Sequence, residues 1–122
     1  MSRAATGIAG ALGLSAVALG AFGAHGLRAR LDPAMLEIYR TGALYHLIHA
    51  LAVLAVALGA DRLRRASLIV TLFTAGVVVF SGSLYTLAIT SVVQFGAVTP
   101  VGGVLLMAGW AAILLEARRP PN

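Results

Sequence analysis

The sequence predicts an all-α integral membrane protein: a four-helix bundle whose helices run up, down, up and down between short loops. Apolar side chains make up 60% of the 122 residues, which is more than a water-soluble domain of this size accommodates. They fall in four runs, each close to the length that crosses a hydrocarbon core about 30 Å thick. The nine basic and four acidic residues gather mainly near the ends of these runs. The chain 1–122 is therefore expected to form a single transmembrane domain.

The first helix is expected at about 4–25, where an apolar run has only Thr6 and Ser15 as polar interruptions. Its glycines recur mostly at every third position, and small residues allow membrane helices to approach closely. Because these glycines wind around the helix, we expect close packing on more than one of its sides. The run resembles a signal peptide but exceeds the usual apolar length of about 7–15 residues, so a retained membrane helix is predicted.

The second helix is expected at about 33–60 and starts at Asp32-Pro33, because aspartate caps a helix and proline fits its first turn. Its buried part contains His46 and His49. On an α-helix these two residues share a face, one turn apart. An ionisable group at membrane depth costs free energy and usually has a partner or a purpose. The pair is therefore the first candidate for a functional site.

The third helix is expected at about 66–90, after a short charged connection. Five of its residues follow a spacing of three and four that puts them on one face. They are Thr71, Thr74, Val78, Ser81 and Tyr85. Because a polar face inside lipid should turn toward protein, we expect this face to contact other helices.

The fourth helix is expected at about 100–117, near the short limit for a membrane span. Thr99 followed by Pro100 repeats the start signal of a capping residue and a proline. The uncharged turn before it is expected at the membrane interface. Trp110 is interpreted as a packing or interface aromatic, and Glu116 as part of a solvated helix end.

The arginines predict an orientation. Four spans put both termini and the connection 61–65 on one side, with six arginines, against three on the other side. The positive-inside rule then predicts that both termini are cytoplasmic. All basic residues are arginine, and alanine, glycine, leucine and valine are abundant, which is typical of a GC-rich bacterial genome. The predicted location is the inner membrane of a bacterium.

The composition excludes several kinds of site and partner. The chain has no cysteine, so disulfides, thiolate metal sites and a cysteine nucleophile are excluded. Its net charge of +5 comes from arginines at the ends of apolar runs, where they anchor a membrane protein, so no nucleic-acid partner is predicted. The expected partners are membrane lipids, and a further copy of the chain or a subunit of a membrane complex. No cofactor is predicted.

Several motifs together resemble a known family. They are GAFGAHGL at 20–27, YHLIHALAVL at 45–54, FSGSLY at 80–85, TPVGG at 99–103 and GW at 109–110. In this order and over nearly the whole chain they resemble the family called domain of unknown function 423, which includes YgdD-like bacterial inner-membrane proteins and the transmembrane protein 256 family. The resemblance implies a small membrane protein with several spans. It implies no reaction and no site residues.

Polar side chains in the outer half of the bundle form the candidate ligand-binding site. They are His25, His46, His49, Tyr45, Ser81, Ser83 and Tyr85. The favoured interpretation of the histidines is a neutral pair that ties its helix to Ser81, Tyr85 or backbone carbonyls. A ligand or proton role is the first alternative, and a metal is the second. No metal site is predicted, because the spans hold no carboxylate or thiolate.

The serines of FSGSLY could be interpreted as nucleophiles, but a hydrolytic site also needs a base and an orienting acid. No acid lies in the spans, so we interpret Ser81-Gly82-Ser83 as a helix-packing motif.

The function predicted from the sequence is that of a non-enzymatic binding or accessory protein with a polar pocket in the outer half of the bundle. Two alternatives use His46 and His49. One is a small-solute or proton-coupled transporter, which the lack of an inverted repeat and of an intramembrane acid disfavours. The other is a quinone-linked or haem-linked redox membrane protein.

Overall fold

The structure, a computed structural model, describes residues 2–118 and 120. In that part of the chain, four α-helices follow one another and no strand occurs. They are α1 Arg3–His25, α2 Pro33–Leu58, α3 Ala66–Thr90 and α4 Thr99–Glu116. All four, the last together with the turn before it, are long and apolar enough to cross a membrane. The predicted all-α membrane fold with four spans is confirmed.

Local sequence signals set the limits of the first two helices. Ser2 caps α1 and Asp32 caps α2, each by accepting a hydrogen bond from the backbone N–H three residues further on. α2 ends at Leu58, two residues before its predicted end. Gly59 follows, with its backbone N–H bonded to the carbonyl of Ala55 at 3.1 Å, and the chain continues as a short 3₁₀ helix, Ala60–Arg62.

The start of α4 differs from the prediction. Residues Val93–Ala97 form a 3₁₀ helix that leads into α4, and Val98 is the capping residue, with no side-chain hydrogen bond. The Thr99 hydroxyl lies instead 2.6 Å from Ser83 Oγ on α3. The predicted cap at Thr99 is therefore wrong, because its hydroxyl pairs with a neighbouring helix.

The connection between α2 and α3 is held by the end of α4. Glu116 accepts hydrogen bonds from the backbone N–H groups of Arg64 and Arg65, at 3.2 and 2.8 Å. Its side chain is only 7% exposed and lies 3.5 Å from the Arg65 guanidinium. The prediction of a solvated helix end is therefore wrong for Glu116. Its carboxylate caps α3, where free N–H groups and the helix dipole favour an anion.

The helices pack in chain order, with α2 and α3 as a central pair. α1 packs on α2, and α4 packs on α3, while α1 touches α3 only slightly. Buried residues make up 39% of the apolar window of α2 and 44% of that of α3, against 22% for each of the other two spans. α1 and α4 are therefore flanking helices with large surfaces for lipid.

α3 and α4 approach each other at backbone distance where glycines face the neighbouring helix. A Cβ on Gly102 would collide with the backbone of Phe80. A Cβ on Gly109 would lie 2.5 Å from the ring of Phe73. Small residues make such close packing possible in a membrane, where dispersion contacts between helices supply much of the stability.

The glycines of α1 are placed differently. Four of them, between Gly7 and Gly20, have no neighbouring atom within 4 Å of the Cβ position. Gly23 is the exception, because the ring of Tyr39 on α2 occupies the space that its side chain would need. Within the single chain, α1 therefore packs closely through glycine only in its last turn, at Gly23.

The predicted polar face of α3 turns toward protein only in part. Ser81 is 1% exposed, but Val78 is 64% exposed and Thr71 lies at the surface. Thr71 Oγ1 donates a 2.8 Å hydrogen bond to the carbonyl of Ser67 in its own helix. Because this bond satisfies the hydroxyl without another helix, the prediction is wrong for Thr71 and Val78. The hydroxyl oxygen of Thr74, between them on this face, is buried.

Candidate functional site

A group of buried polar side chains extends from the middle of the bundle toward the end formed by the loops 26–32 and 91–98, which we call the loop end. His46, His49, Ser81 and Ser83 are each at most 8% exposed. Both imidazoles therefore face other helices rather than lipid. The two histidines and Ser81, with their hydrogen-bond partners, form a network of contacts that reaches all four helices.

His49 is held between its own helix and α4. Its Nδ1 lies 2.7 Å from the carbonyl oxygen of Tyr45, and its Nε2 lies 3.0 Å from the indole nitrogen of Trp110. A carbonyl can only accept and an indole N–H can only donate, so His49 carries its hydrogen on Nδ1 and accepts at Nε2. The ring is neutral, and both nitrogens are engaged. Phe73 packs against it edge-on, with 5.3 Å between ring centres.

His46 connects α2 to both α1 and α3. Its Nε2 lies 3.1 Å from Ser15 Oγ, and its Nδ1 lies 2.9 Å from the Tyr85 hydroxyl. Ser15 donates to the carbonyl of Ala11 at 2.8 Å, so it accepts from Nε2–H, and Nδ1 accepts from Tyr85. The reverse assignment leaves the Tyr85 hydrogen without an acceptor among the described residues. The two histidines therefore carry their hydrogens on opposite ring nitrogens.

Two tyrosines and a serine extend the network along α2. Tyr39 is 1% exposed and donates a 2.6 Å hydrogen bond to the carbonyl of Leu19 on α1. Its ring packs against Tyr85, with 4.9 Å between ring centres. Ser81 donates to the carbonyl of Gly42 at 2.7 Å. These contacts fix the position of α2 against α1 and α3 at several heights.

Ser83 belongs to a separate pair. It donates to the carbonyl of Phe80 at 2.8 Å, so it accepts the hydrogen of Thr99 in their 2.6 Å contact. No imidazole or carboxylate of the described residues is hydrogen-bonded to Ser83. Its hydroxyl therefore lacks the base that a serine nucleophile needs, and it serves here to join α3 to α4.

The structure brings some of the candidate residues together and separates others. His46 and Tyr85 are in direct contact. Tyr45, which is 40% exposed, contacts His49 through its carbonyl and through ring stacking, with 6.1 Å between ring centres. His25 is exposed at the end of α1, outside the network. Whether these residues contact a ligand stays a prediction.

Three members of the network were not among the candidates: Ser15, Tyr39 and Trp110. Ser15 is one of two polar interruptions in the first apolar run, and Trp110 is the sole tryptophan of the chain. Trp110 lies past the middle of α4. It and His49 both contact Phe73 in the first half of α3, so the two residues lie at the same height in the bundle.

The network is suited to holding helices together. Within residues 2–118 and 120, no group of three histidine, aspartate or glutamate side chains could hold a metal ion. Each imidazole nitrogen already has a hydrogen-bond partner. A proton or a ligand could reach either ring only if a contact to a neighbouring residue opened first.

A cleft of about 720 Å³ opens at the loop end, between the α1–α2 loop and the first turns of α2. It is lined by Arg28, Leu31, Pro33, Leu36, Glu37, Arg40, Thr41 and Leu44. Apolar and charged side chains therefore share one cavity, in contrast to the neutral network of the histidines.

Known proteins resemble the chain over most of its length. The family described as protein of unknown function (DUF423) matches residues 19–103. The UPF0382 membrane protein YwdK of Bacillus subtilis is 45% identical over 107 residues, which cover 85% of this chain and 87% of the relative. The UPF0382 inner membrane protein YgdD of Escherichia coli is 44% identical over 107 residues, covering 84% and 80%. No solved structure matches the chain.

Proposed function

Since the chain belongs to the DUF423 family of membrane proteins of unknown function, we propose a role from its geometry: a non-enzymatic binding protein of the bacterial inner membrane, in which the two buried histidines lock the helices together. The loop end is the part that carries the binding role.

One observation carries this proposal: all four imidazole nitrogens are already hydrogen-bonded inside the protein. A catalytic, proton-carrying or metal-binding histidine needs a nitrogen that faces a substrate, a proton path or an ion. Here the partners lie on α1, α3, α4 and on α2 itself. Both the transporter and the redox alternative require one of these bonds to break, so the geometry supports a locking role.

The cleft at the loop end supports the binding role. It combines two arginines and a glutamate with leucine side chains, at the end of a membrane-spanning helix. Such a mixture suits ligands or partners that have both a polar and an apolar part. Tyr39, which clusters with the cleft residue Leu36 and bonds the carbonyl of Leu19 on α1, keeps this part of α2 in place.

The histidines are tested by substitution. We expect His49→Asn and His46→Asn each to lower the melting temperature in detergent. Asparagine is too short to replace Nε2, so each change removes a hydrogen bond to a flanking helix, worth roughly 0.6–2 kcal/mol. Thr71→Ala is the matched control, since this exposed hydroxyl contacts only its own helix. The purified protein should be colourless and free of quinone. An unchanged melting temperature in both histidine variants, or a stoichiometric chromophore that these variants lose, would show that the locking role is wrong.

We further propose that both termini are cytoplasmic. Among the described residues, the end opposite the loop end carries five arginines, and the loop end carries three together with Asp32 and Glu37. The positive-inside rule favours this orientation.

The orientation is tested with single cysteines, because the chain has none of its own. A membrane-impermeant maleimide should label Arg30→Cys in cells with a permeabilised outer membrane, and it should leave Arg62→Cys unlabelled until the inner membrane is opened. If only Arg62→Cys is labelled in those cells, the protein has the opposite orientation and the proposal is wrong.

A further inference from the structure

The cleft at the loop end has a buried apolar floor and charged edges. Leu36 is buried in a small apolar cluster with Leu27 and Tyr39, so this side of the cleft is fixed. Arg28 and Arg40 are exposed at the cleft, and among the described residues neither forms a salt bridge. Two cations without an anionic partner are thus held beside an apolar surface.

The length of α2 places this cleft at the boundary of the membrane. The helix has 26 residues, so it is about 39 Å long and exceeds a hydrocarbon core of about 30 Å by about two turns. From Thr41 to Leu58 it carries no formal charge, so the excess lies at its start. Arg40 therefore lies where the hydrocarbon meets the headgroups, and Leu44 lies one turn further in.

The order of side chains along the cleft indicates what it binds. Leu44, Arg40 and Glu37 follow one another on α2, each about one turn from the next. From the membrane outward, these three side chains are apolar, cationic and anionic. A phospholipid with an ammonium headgroup has the complementary order: acyl chain, phosphate, ammonium. Arg28 adds a second cation from the opposite wall.

We propose that this cleft binds a zwitterionic phospholipid that carries a primary ammonium group. Its phosphate lies at Arg40 and Arg28, because guanidinium groups pair with phosphate oxygens in two-pronged hydrogen bonds. Its ammonium lies at Glu37, and an acyl chain follows the exposed side chain of Leu44. The inference rests on the binding role proposed above and gives that role a ligand class. Glu37 is what distinguishes this lipid from an anionic one, whose headgroup a carboxylate repels.

The test is native mass spectrometry of the purified protein, titrated with dioleoyl phosphatidylethanolamine, with dioleoyl phosphatidylglycerol and with inorganic phosphate. We expect the first lipid to bind better than the second. Arg40→Gln should weaken both lipids by about three- to tenfold, since it removes a charge-assisted contact at an exposed site. Glu37→Gln should weaken phosphatidylethanolamine alone and abolish the preference. Arg30→Gln should change the binding of neither lipid, because Arg30 lies in the α1–α2 loop with Arg28 but does not line the cleft.

Other outcomes overturn the inference. Equal binding of the two lipids by the unmodified chain, or stronger binding of phosphatidylglycerol, removes the role of Glu37. Displacement of lipid by inorganic phosphate shows that the cleft recognises phosphate alone. Lipid binding that resists Arg40→Gln places the lipid elsewhere. These results leave the locking role of the histidines untouched, because that role is decided by the melting of His46 and His49 variants. Melting temperatures of the cleft variants serve as the check that they fold.

Discussion

The two flanking helices, α1 and α4, have the same share of buried residues in their apolar windows, 22% each, yet they attach to the central pair by different means. On α4, Gly102 and Gly109 face α3, so that the helices meet at backbone distance. On α1, the glycines before Gly23 face open space. Glycine therefore makes the close contact between α4 and α3, whereas the glycines of α1 before Gly23 contact no other helix of the chain.

α1 packs on α2 through small buried side chains, among them Ala5 and Ala9, and is tied there by hydrogen bonds. Ser15 accepts from His46, and the carbonyl of Leu19 accepts from Tyr39. Near the start of the helix, the backbone N–H of Ser2 donates to the carbonyl of Ala57 at 3.1 Å. A flank held by separate bonds should weaken step by step as they are removed. A flank held by backbone contact should fail at once when a side chain is inserted.

The largest effect is expected for Gly102→Ala. The new Cβ collides with the backbone of Phe80, so α4 must move away from α3 and give up the packing along their contact. Overpacking of this kind costs roughly 1–3 kcal/mol. Thermal unfolding in detergent should show a clear fall in melting temperature.

The matched control for that change is Gly10→Ala on α1, where no atom lies within 4 Å of the new Cβ. Alanine is also a better helix residue than glycine, so the melting temperature should stay the same or rise slightly. A comparable loss in both variants would contradict the difference between the flanks and would indicate that a neighbouring molecule packs on the α1 glycines.

Much of this fold follows from the sequence, because apolar run length and capping residues act locally. Asp32 caps α2 as its position before a proline predicts. The pairing of helices is different in kind, since it depends on which side chains meet across space. Thr99 shows the limit: its sequence context predicts a cap, but Ser83 on another helix takes its hydroxyl.

The candidate site was predictable in its centre and in the pairing of His46 with Tyr85, but not in its partners on the flanking helices, Ser15 and Trp110. His46 and His49 stand out because ionisable residues are rare in a membrane span. Trp110 donates a hydrogen bond to His49, but nothing local in the sequence shows that these positions on α2 and α4 meet beside Phe73. Glu116 likewise looks solvated in the sequence, because nothing local shows that the start of α3 lies beside it.

A smaller effect is expected for Trp110→Phe, which tests the one hydrogen bond between α4 and His49. Phenylalanine keeps most of the ring packing against Phe73 but removes the indole N–H, so Nε2 of the buried His49 loses its donor. We expect a loss of about 1 kcal/mol in stability. Nitrogen-15 chemical shifts should show hydrogen on Nδ1 of His49 and on Nε2 of His46 in the unmodified protein. The same tautomer on both histidines would contradict the hydrogen-bond assignment.

The corresponding change on the other flank is Ser15→Ala, which removes the partner of His46 on α1. Its effect should be no larger than that of Trp110→Phe, because Tyr39 still holds α1 through Leu19. The double variant then decides whether the flanks are independent. Ser15 and Trp110 lie on opposite flanking helices and bond different histidines, so the two losses should add within about 0.5 kcal/mol. A larger loss in the double variant would mean that α2 shifts as a body once one imidazole is released, and the two attachments would then have to be treated as a single lock.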